Sequence, residues 1–387
     1  MPCAFAYIHT SHFTLRIMDT SSPQPPARIL AIDALRGFDM FFLTGGLALV
    51  LAALGLIYEP MPEWIRYHAT HVEWEGFAAW DLVMPLFIFI VGAAVPFSMG
   101  KYSAPGMRSK AYLRIFRRVA ILFLLGMVVQ GRLLGFEPKN MALFCNTLQA
   151  IAGGYLIASL CVLHLRLRGQ IVTALLLLAS YWALMRFMPY GDSQAGLFLP
   201  HDNLALHIDK YLQGSWQDGT NYSWILTNLS FGATAMLGAL SGYLLKTPCL
   251  PVKKLAWLLG IGGALLLSGW ALSYDTPIIK HIFTTSMVLW AAGWSYLLLA
   301  LFYLILDIAR LTWLAFPFIV VGSNAIFAYM WIETPQCSPE HNISRALFGG
   351  LARQSGDYGA FIFQLGNYAL IWSVLYFLYR KKTFIKV

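Results

Sequence analysis

Apolar runs of helix-spanning length recur from about residue 32 to the carboxy terminus, separated by short polar stretches. They fall at about 32–57, 78–99, 115–134, 141–164, 170–188, 223–245, 254–274, 284–306, 313–333 and 359–379. Each is long enough to cross the hydrocarbon of a bilayer as a helix, which takes about 20 residues. The pattern predicts an all-α polytopic membrane protein of about ten transmembrane helices.

Composition points the same way. Of 387 residues, 58% are hydrophobic and only 12% charged, with mean hydropathy +0.63, whereas a soluble domain carries about a quarter of its residues charged. One transmembrane domain over 29–387 is the simplest organisation. The stretch 1–28, with Pro23, Pro25 and Pro26, lacks the long apolar core and cleavage site of a secretory signal and is expected to be a disordered cytoplasmic tail, with Met18 an alternative start.

The net charge of +9 does not imply nucleic acid, because in a membrane protein the distribution of Lys and Arg decides its meaning. With ten spans, 19 of the 27 basic residues fall on the face that carries both termini and 8 on the other. The positive-inside rule makes the first face cytoplasmic. The loops 189–222 and 334–358, which hold Asp209, Asp218, Glu340 and His341, with Glu333 at the border of the second, then lie outside. Cys3, Cys145, Cys161, Cys249 and Cys337 form no CxxC pair, so neither a disulfide framework nor a zinc site is expected, and no metal is called for.

Four constellations could carry chemistry. The first is His71-Val72-Glu73-Trp74-Glu75, running on to Trp80 and Asp81 at the mouth of the second span. A helix beginning near His71 would place Trp74, Glu75 and Asp81 on one face. A histidine flanked by carboxylates is suited to proton transfer or acyl attack; the competing reading is an interfacial aromatic belt with loop charges. The second is Asp33, Arg36 and Asp39, either an ion-pair ladder or an anion site built on Arg36. The third is the basic run containing Arg114, Arg117 and Arg118, which the positive-inside effect explains unless phosphates meet it. The fourth is the set of intramembrane amides Asn146, Gln149, Asn228 and Asn324, which either pack helices or line a polar passage. Glycine pairs such as Gly238 with Gly242 and Gly260 with Gly262 are expected to bring helices close. Nucleotide-binding, nucleophile-elbow and zinc motifs are missing.

Taken in order, several blocks resemble the heparan-α-glucosaminide N-acetyltransferase family and its bacterial relatives, some of them labelled N-acetylglucosamine-related transporters. The blocks are Asp33-Ala34-Leu35-Arg36-Gly37-Phe38-Asp39, His71-Val72-Glu73-Trp74-Glu75-Gly76 followed by Asp81-Leu82, Thr147-Leu148-Gln149, Phe283-Thr284-Thr285-Ser286-Met287 and Gly322-Ser323-Asn324. The resemblance implies a multi-span acyltransferase of a bacterial inner membrane. It would take acetyl-CoA as co-substrate from the cytoplasm and acetylate the amine of glucosamine or a glucosamine-terminated sugar, with a homodimer as the partner state the family allows. Carried over, the catalytic pair is His71 and Asp81; Trp74, Glu75 and Asn324 become substrate-binding candidates, and Arg36, Arg117, Arg118, Asn146 and Gln149 candidates for CoA or for an oxyanion donor. The chain departs from the family at Glu75 and Ala150, where asparagine and arginine are frequent, and at Thr44, near another frequent asparagine. Glu75 favours a cationic amine as acceptor. Sugar transport and O-acetylation of an envelope glycan are the alternative functions.

Overall fold

A computed structural model describes residues 29–102, 106–334 and 343–385. The expected tail 1–28, with Cys3, Arg16, Met18 and Arg28, lies outside the described residues, as do Cys337, Glu340, His341 and Lys386. The described chain is helical, with isolated β-bridges and no longer strand. In order the helices are α1 (Leu30–Phe41), α2 (Leu47–Gly55), α3 (Glu63–Ala69), α4 (Val83–Met99), α5 (Arg108–Val129), α6 (Thr147–His164), α7 (Leu167–Phe187) and α8 (Leu204–Gln213). There follow α9 (Asn228–Lys246), α10 (Pro251–Leu272), α11 (Thr285–Phe302), α12 (Phe316–Ser323), α13 (Ala325–Glu333), α14 (Ile343–Gln354) and α15 (Gly359–Arg380).

All ten apolar segments are helical, but not all have the character of a lipid-facing span. Seven helices are long and apolar enough to cross a membrane, or eight if the bent pair α12 and α13 counts as one. The two that fall short have identifiable reasons. In α5 the guanidinium groups of Arg114, Arg117 and Arg118 sit within one turn and a half of each other. In α9 the polar Asn228, Ser230, Thr234 and Ser241 are tolerated because most of the helix is buried in protein, where lipid does not set the composition.

That central helix packs against α4, α6 and α7. A Cβ on Gly238 would lie 2.1 Å from the Phe89 carbonyl oxygen, and one on Gly242 would lie 2.3 Å from that of Ala93. Across the same seam a Cβ on Gly92 would meet the Ala235 carbonyl oxygen at 2.0 Å. The α4 and α9 backbones thus touch, the close approach that small residues permit in membranes. Not every glycine pair behaves so: Gly260 has open space where its Cβ would be, while Gly262 meets Tyr296 and Leu297.

Two spans are broken. Between α1 and α2 a π-turn at Phe42–Gly46 carries Thr44 at ψ 27° and Gly45 at φ +92°, a conformation that favours glycine. Between α12 and α13 the chain bends by 62° at Asn324. The breaks are neighbours: α1 packs along α12, and α13 packs on the π-turn. Helices that stop short in mid-bundle leave space that side chains do not fill.

Gly238→Ala should force α4 and α9 apart at a cost of about 1–3 kcal/mol and lower the unfolding temperature in detergent. Gly260→Ala, with no neighbour to displace, should leave it unchanged. Equal melting of the two variants would refute this account of the seam.

Candidate active site

The stretch from Thr70 to Ala78 is irregular loop rather than helix, and the helical path begins at Ala79. His71, Trp74, Glu75 and Asp81 therefore do not share a helical face, contrary to what the spacing predicted. They are sorted instead by what the loop is tied to. Gly76, at φ +125°, donates its amide to Ile278 O (2.9 Å), and Glu75 bridges to Ile279. The Trp74 indole donates to Phe198 O at 2.7 Å and lies against the His281 ring. Trp74 is thus a strut between loops, and the exposed Glu75 lies off the cavity wall.

Asp81 is the centre of the arrangement. It is 1% exposed and sits in the first turn of the α4 path, where amide dipoles favour an anion. Its Oδ2 accepts from the amides of Ala78 (3.0 Å) and Val72 (3.3 Å). Its Oδ1 accepts from His71 Nδ1 at 2.8 Å, and Lys280 Nζ lies 3.4 Å from the same oxygen. The tautomer with its proton on Nδ1 donates to this carboxylate and presents the Nε2 lone pair to a substrate. The His71 side chain is 45% exposed, and with Trp80 it lines a cavity of about 550 Å³.

Lys280 was legible in the sequence only as one of the few basic residues of the outer face. It is 8% exposed, with Nζ 3.0 Å from His71 Nδ1 and 3.4 Å from Nε2. Burial brings the ammonium down to about 8, opposed by the charge of Asp81. Its loop is clamped from several directions. Thr284 caps α11 and donates its hydroxyl to Pro277 O (2.8 Å), Ser286 bonds the same carbonyl (3.0 Å), and the Tyr181 hydroxyl donates to Ile282 O. The Phe283-Thr284-Thr285-Ser286 block therefore owes its composition to holding this loop. A signal was available: Lys280 and His281 interrupt the otherwise apolar run from Pro277 to Phe283.

The opposite rim comes from residues 214–227. Asp209, fully buried on α8, accepts from Trp224 N (2.6 Å), Ile225 N (3.1 Å) and Ser223 Oγ (3.1 Å). Burial raises its carboxyl to about 6 against these three bonds. The clasp presents Tyr222, Trp224 and Asp218 to the cavity, with Trp224 Nε1 donating to Asp218 Oδ2 at 2.9 Å. Burial, with Asp81 adding to it, pushes the Tyr222 phenol up to about 12, so it stays protonated. The Tyr222 ring packs 4.2 Å from His281, which burial and then Lys280 bring down to about 4. His281 is accordingly neutral and does not compete with His71 for protons. Glu333, at the end of α13, completes the wall.

The amides expected to line a passage are occupied. Asn146 caps α6 through Leu148 N (2.7 Å) and holds Gln130 (2.9 Å) and Tyr329 (3.1 Å). Gln149 accepts from the amides of Cys145 (2.8 Å) and Asn146 (3.1 Å) and donates to Leu143 O (2.7 Å). Asn324, at the bend, binds Thr383 O (3.2 Å) and Ile385 N (2.9 Å) and does not line the His71 cavity.

A second cavity, of about 1030 Å³, opens toward the basic face and is lined by Arg36, Arg114, Arg118, Arg380 and Lys382. Arg118 lies 4.4 Å over the Tyr155 ring with its buried Nε unpartnered, and Arg36 has Asp33 at 3.6 Å. Arg117 is exposed on another side of α5 and does not line it. Phe87, Ala325 and Ile326 line both cavities. Among the described residues no cluster of His, Cys, Asp and Glu could hold a metal.

Comparison with known proteins places the chain near one activity. Residues 28–151, which include His71, Asp81, Asn146 and Gln149, match a family described as a domain of unknown function, DUF5009. The chain is also 24% identical over 424 aligned positions to heparan-alpha-glucosaminide N-acetyltransferase of Mus musculus, an alignment that takes in 94% of this chain. It spans 62% of that relative's length. The protein is a polytopic membrane protein distantly related to an acetyltransferase.

Proposed function

We propose that the protein carries the acetyl group of acetyl-CoA from one face of the membrane to an amine at the other. The acceptor is glucosamine or a glucosamine-terminated sugar, and the basic face is the cytoplasmic side of a bacterial inner membrane. The observation that carries this reading is the shared wall. A cationic cavity and the His71 cavity lie back to back, separated by the side chains of Phe87, Ala325 and Ile326.

The donor side fits a polyphosphate thioester. Five basic side chains line it, and the unpartnered Arg118 Nε is a donor of the kind that phosphate oxygens satisfy. Acetyl-CoA, when bound, supplies an activated acyl thioester. The nucleotide need not cross the bilayer; the acyl end has only to pass the apolar wall.

On the acceptor side, Asp218 and Glu333 attract an ammonium, and Trp80, Tyr222 and Trp224 offer ring faces to a sugar. These residues take the place that the sequence reading gave to Glu75 and Trp74. His71, oriented by Asp81, removes a proton from the ammonium at Nε2 and releases it to the outer solution. The freed amine forms its C–N bond as the thioester C–S bond breaks, and the amine's second proton neutralises the departing thiolate. A base positioned in this way contributes about 10²–10⁴-fold.

In vesicles given acetyl-CoA at the basic face and glucosamine at the other, His71→Ala should lower transfer at least about a hundredfold without loss of folded protein. Undiminished transfer would remove His71 from the mechanism. Arg118→Gln should raise KM for acetyl-CoA about tenfold with kcat little changed, as expected for a contact equal in ground and transition states; an altered kcat alone would contradict phosphate binding. Phe87→Ala should raise kcat/KM for butyryl-CoA relative to acetyl-CoA by about tenfold, and an unchanged ratio would mean that the acyl chain does not pass this wall.

A further inference from the structure

Acyl transfer needs a donor for the oxygen on which negative charge gathers, and this is usually among the largest contributions to such catalysis. The side-chain amides that the sequence suggested for this task are spent: Asn146 and Gln149 cap α6 and saturate backbone groups at its start. On the cavity wall the Thr220 hydroxyl is bonded to Asp218 (2.7 Å) and the Tyr329 hydroxyl to Asn146 (3.3 Å), while the other donors, on Trp80, Gln130, Thr147 and Tyr222, are neutral groups that bring no charge to an oxyanion. Lys280 is the only lysine or arginine among the described residues lining this cavity.

We propose that Lys280 is a catalytic residue, whose ammonium donates a hydrogen bond to the thioester carbonyl oxygen as that oxygen becomes negative. The proposal rests on the acyl-transfer reading and adds the electrophilic group to it. No bond forms at Lys280, and its proton stays on Nζ throughout.

Its position suits the task. An amine bonded to His71 Nε2 lies about 3 Å from it, and the carbonyl it attacks lies about 3 Å beyond. Nζ is 3.4 Å from the same Nε2, so a carbonyl oxygen turned to this side comes within reach of it. An ammonium has three donors; its nearest polar neighbours are His71 Nδ1 at 3.0 Å and Asp81 Oδ1 at 3.4 Å, which leave at least one N–H for the cavity. The loop is held through Gly76, Tyr181, Thr284 and Ser223, the last by its amide to His281 O at 3.0 Å. The charge is therefore in place before substrate arrives and needs no reorganisation.

The same geometry has a pH consequence. The groups facing Lys280 are Asp81 and His71 from the α4 side, His281 beside it, Tyr222 behind His281, and Asp218 and Glu333 across the cavity. Burial lowers the ammonium to about 8, so the donor charge is present at neutral pH and is lost as pH rises through that value. An arginine at this place stays charged far above it.

The test is the pH dependence of kcat at saturating acetyl-CoA and glucosamine, in wild type, Lys280→Met and Lys280→Arg, with acetyl-CoA binding measured separately by calorimetry. Wild type should lose rate above about pH 8. Lys280→Met should lose at least about a hundredfold in kcat while binding acetyl-CoA as wild type does. Lys280→Arg should recover part of that loss and abolish the alkaline limb. A Lys280→Met enzyme with wild-type kcat would overturn the proposal, as would an alkaline limb that persists near pH 8 in Lys280→Arg. Should the methionine variant not fold, the arginine variant decides alone. Absence of transfer by wild type would overturn the acyl-transfer reading itself, and this proposal with it.

Discussion

A carboxylate buried at the mouth of an apolar helix must replace the water it gives up, and Asp81 is such a group. On insertion scales an unpaired aspartate within a membrane helix costs about 2.5–3.5 kcal/mol. The replacement consists of two loop amides, an imidazole and an ammonium, drawn from segments about 200 residues apart in the chain. The groups that solvate Asp81 are the same groups that could do chemistry. His71 is oriented because it completes this shell, and Lys280 Nζ reaches the same carboxylate oxygen. Stability and reactivity at this site are two aspects of one requirement. Asp209 repeats the device without the chemistry: its shell is made of Ser223, Trp224 and Ile225, and its effect is to shape the wall that faces His71.

The hollow in front of these residues has its own cause. A bundle of unbroken helices would fill its interior with side chains, at the density typical of protein cores. Here α1 and α2 part at Gly45, and α12 and α13 part at Asn324, in neighbouring spans. Irregular backbone at membrane depth is tolerated only where protein or an aqueous cavity satisfies its polar groups. Asn324 does part of this by binding Thr383 and Ile385, and this places chain from beyond α15 against the basic cavity. The tight α4 and α9 seam, built on Gly92, Gly238 and Gly242, gives a rigid backing to α4, whose Phe87 lines both cavities.

Much of this was legible in the sequence and some of it was not, for physical reasons. The length and apolarity of each helix are local properties, so all ten segments were found. Their lipid exposure is not local, which is why α9, buried by its neighbours, resembled a span in length and not in composition. The pairing of His71 with Asp81 was readable from proximity along the chain, although through a helical face that does not exist; Gly76 at positive φ turns the loop and brings Asp81 back to His71 by another path. Lys280 and the Tyr222 rim lie about 140 to 210 residues from His71 along the chain, and no periodicity links positions so distant. That Glu75 would lie off the cavity wall was not readable, because its bridge to Ile279 joins positions about 200 residues apart.

The wall between the cavities also bears on which kind of protein this is. A sugar transporter must open a path as wide as a sugar and offer polar partners along it. Phe87, Ala325 and Ile326 offer none, and each polar cluster lies wholly to one side of them. The asymmetry is chemical as well as spatial, with five basic side chains on one side and a carboxylate, imidazole and ammonium set on the other. A transported solute would have to be recognised by both. On the proposed function a thioester would need only its uncharged acyl end to pass an apolar wall, its phosphates staying with the arginines and its reaction taking place beside Asp81 and His71. Separation of charge recognition from bond chemistry by a thin apolar layer is what supports transfer of a group over transport of a molecule.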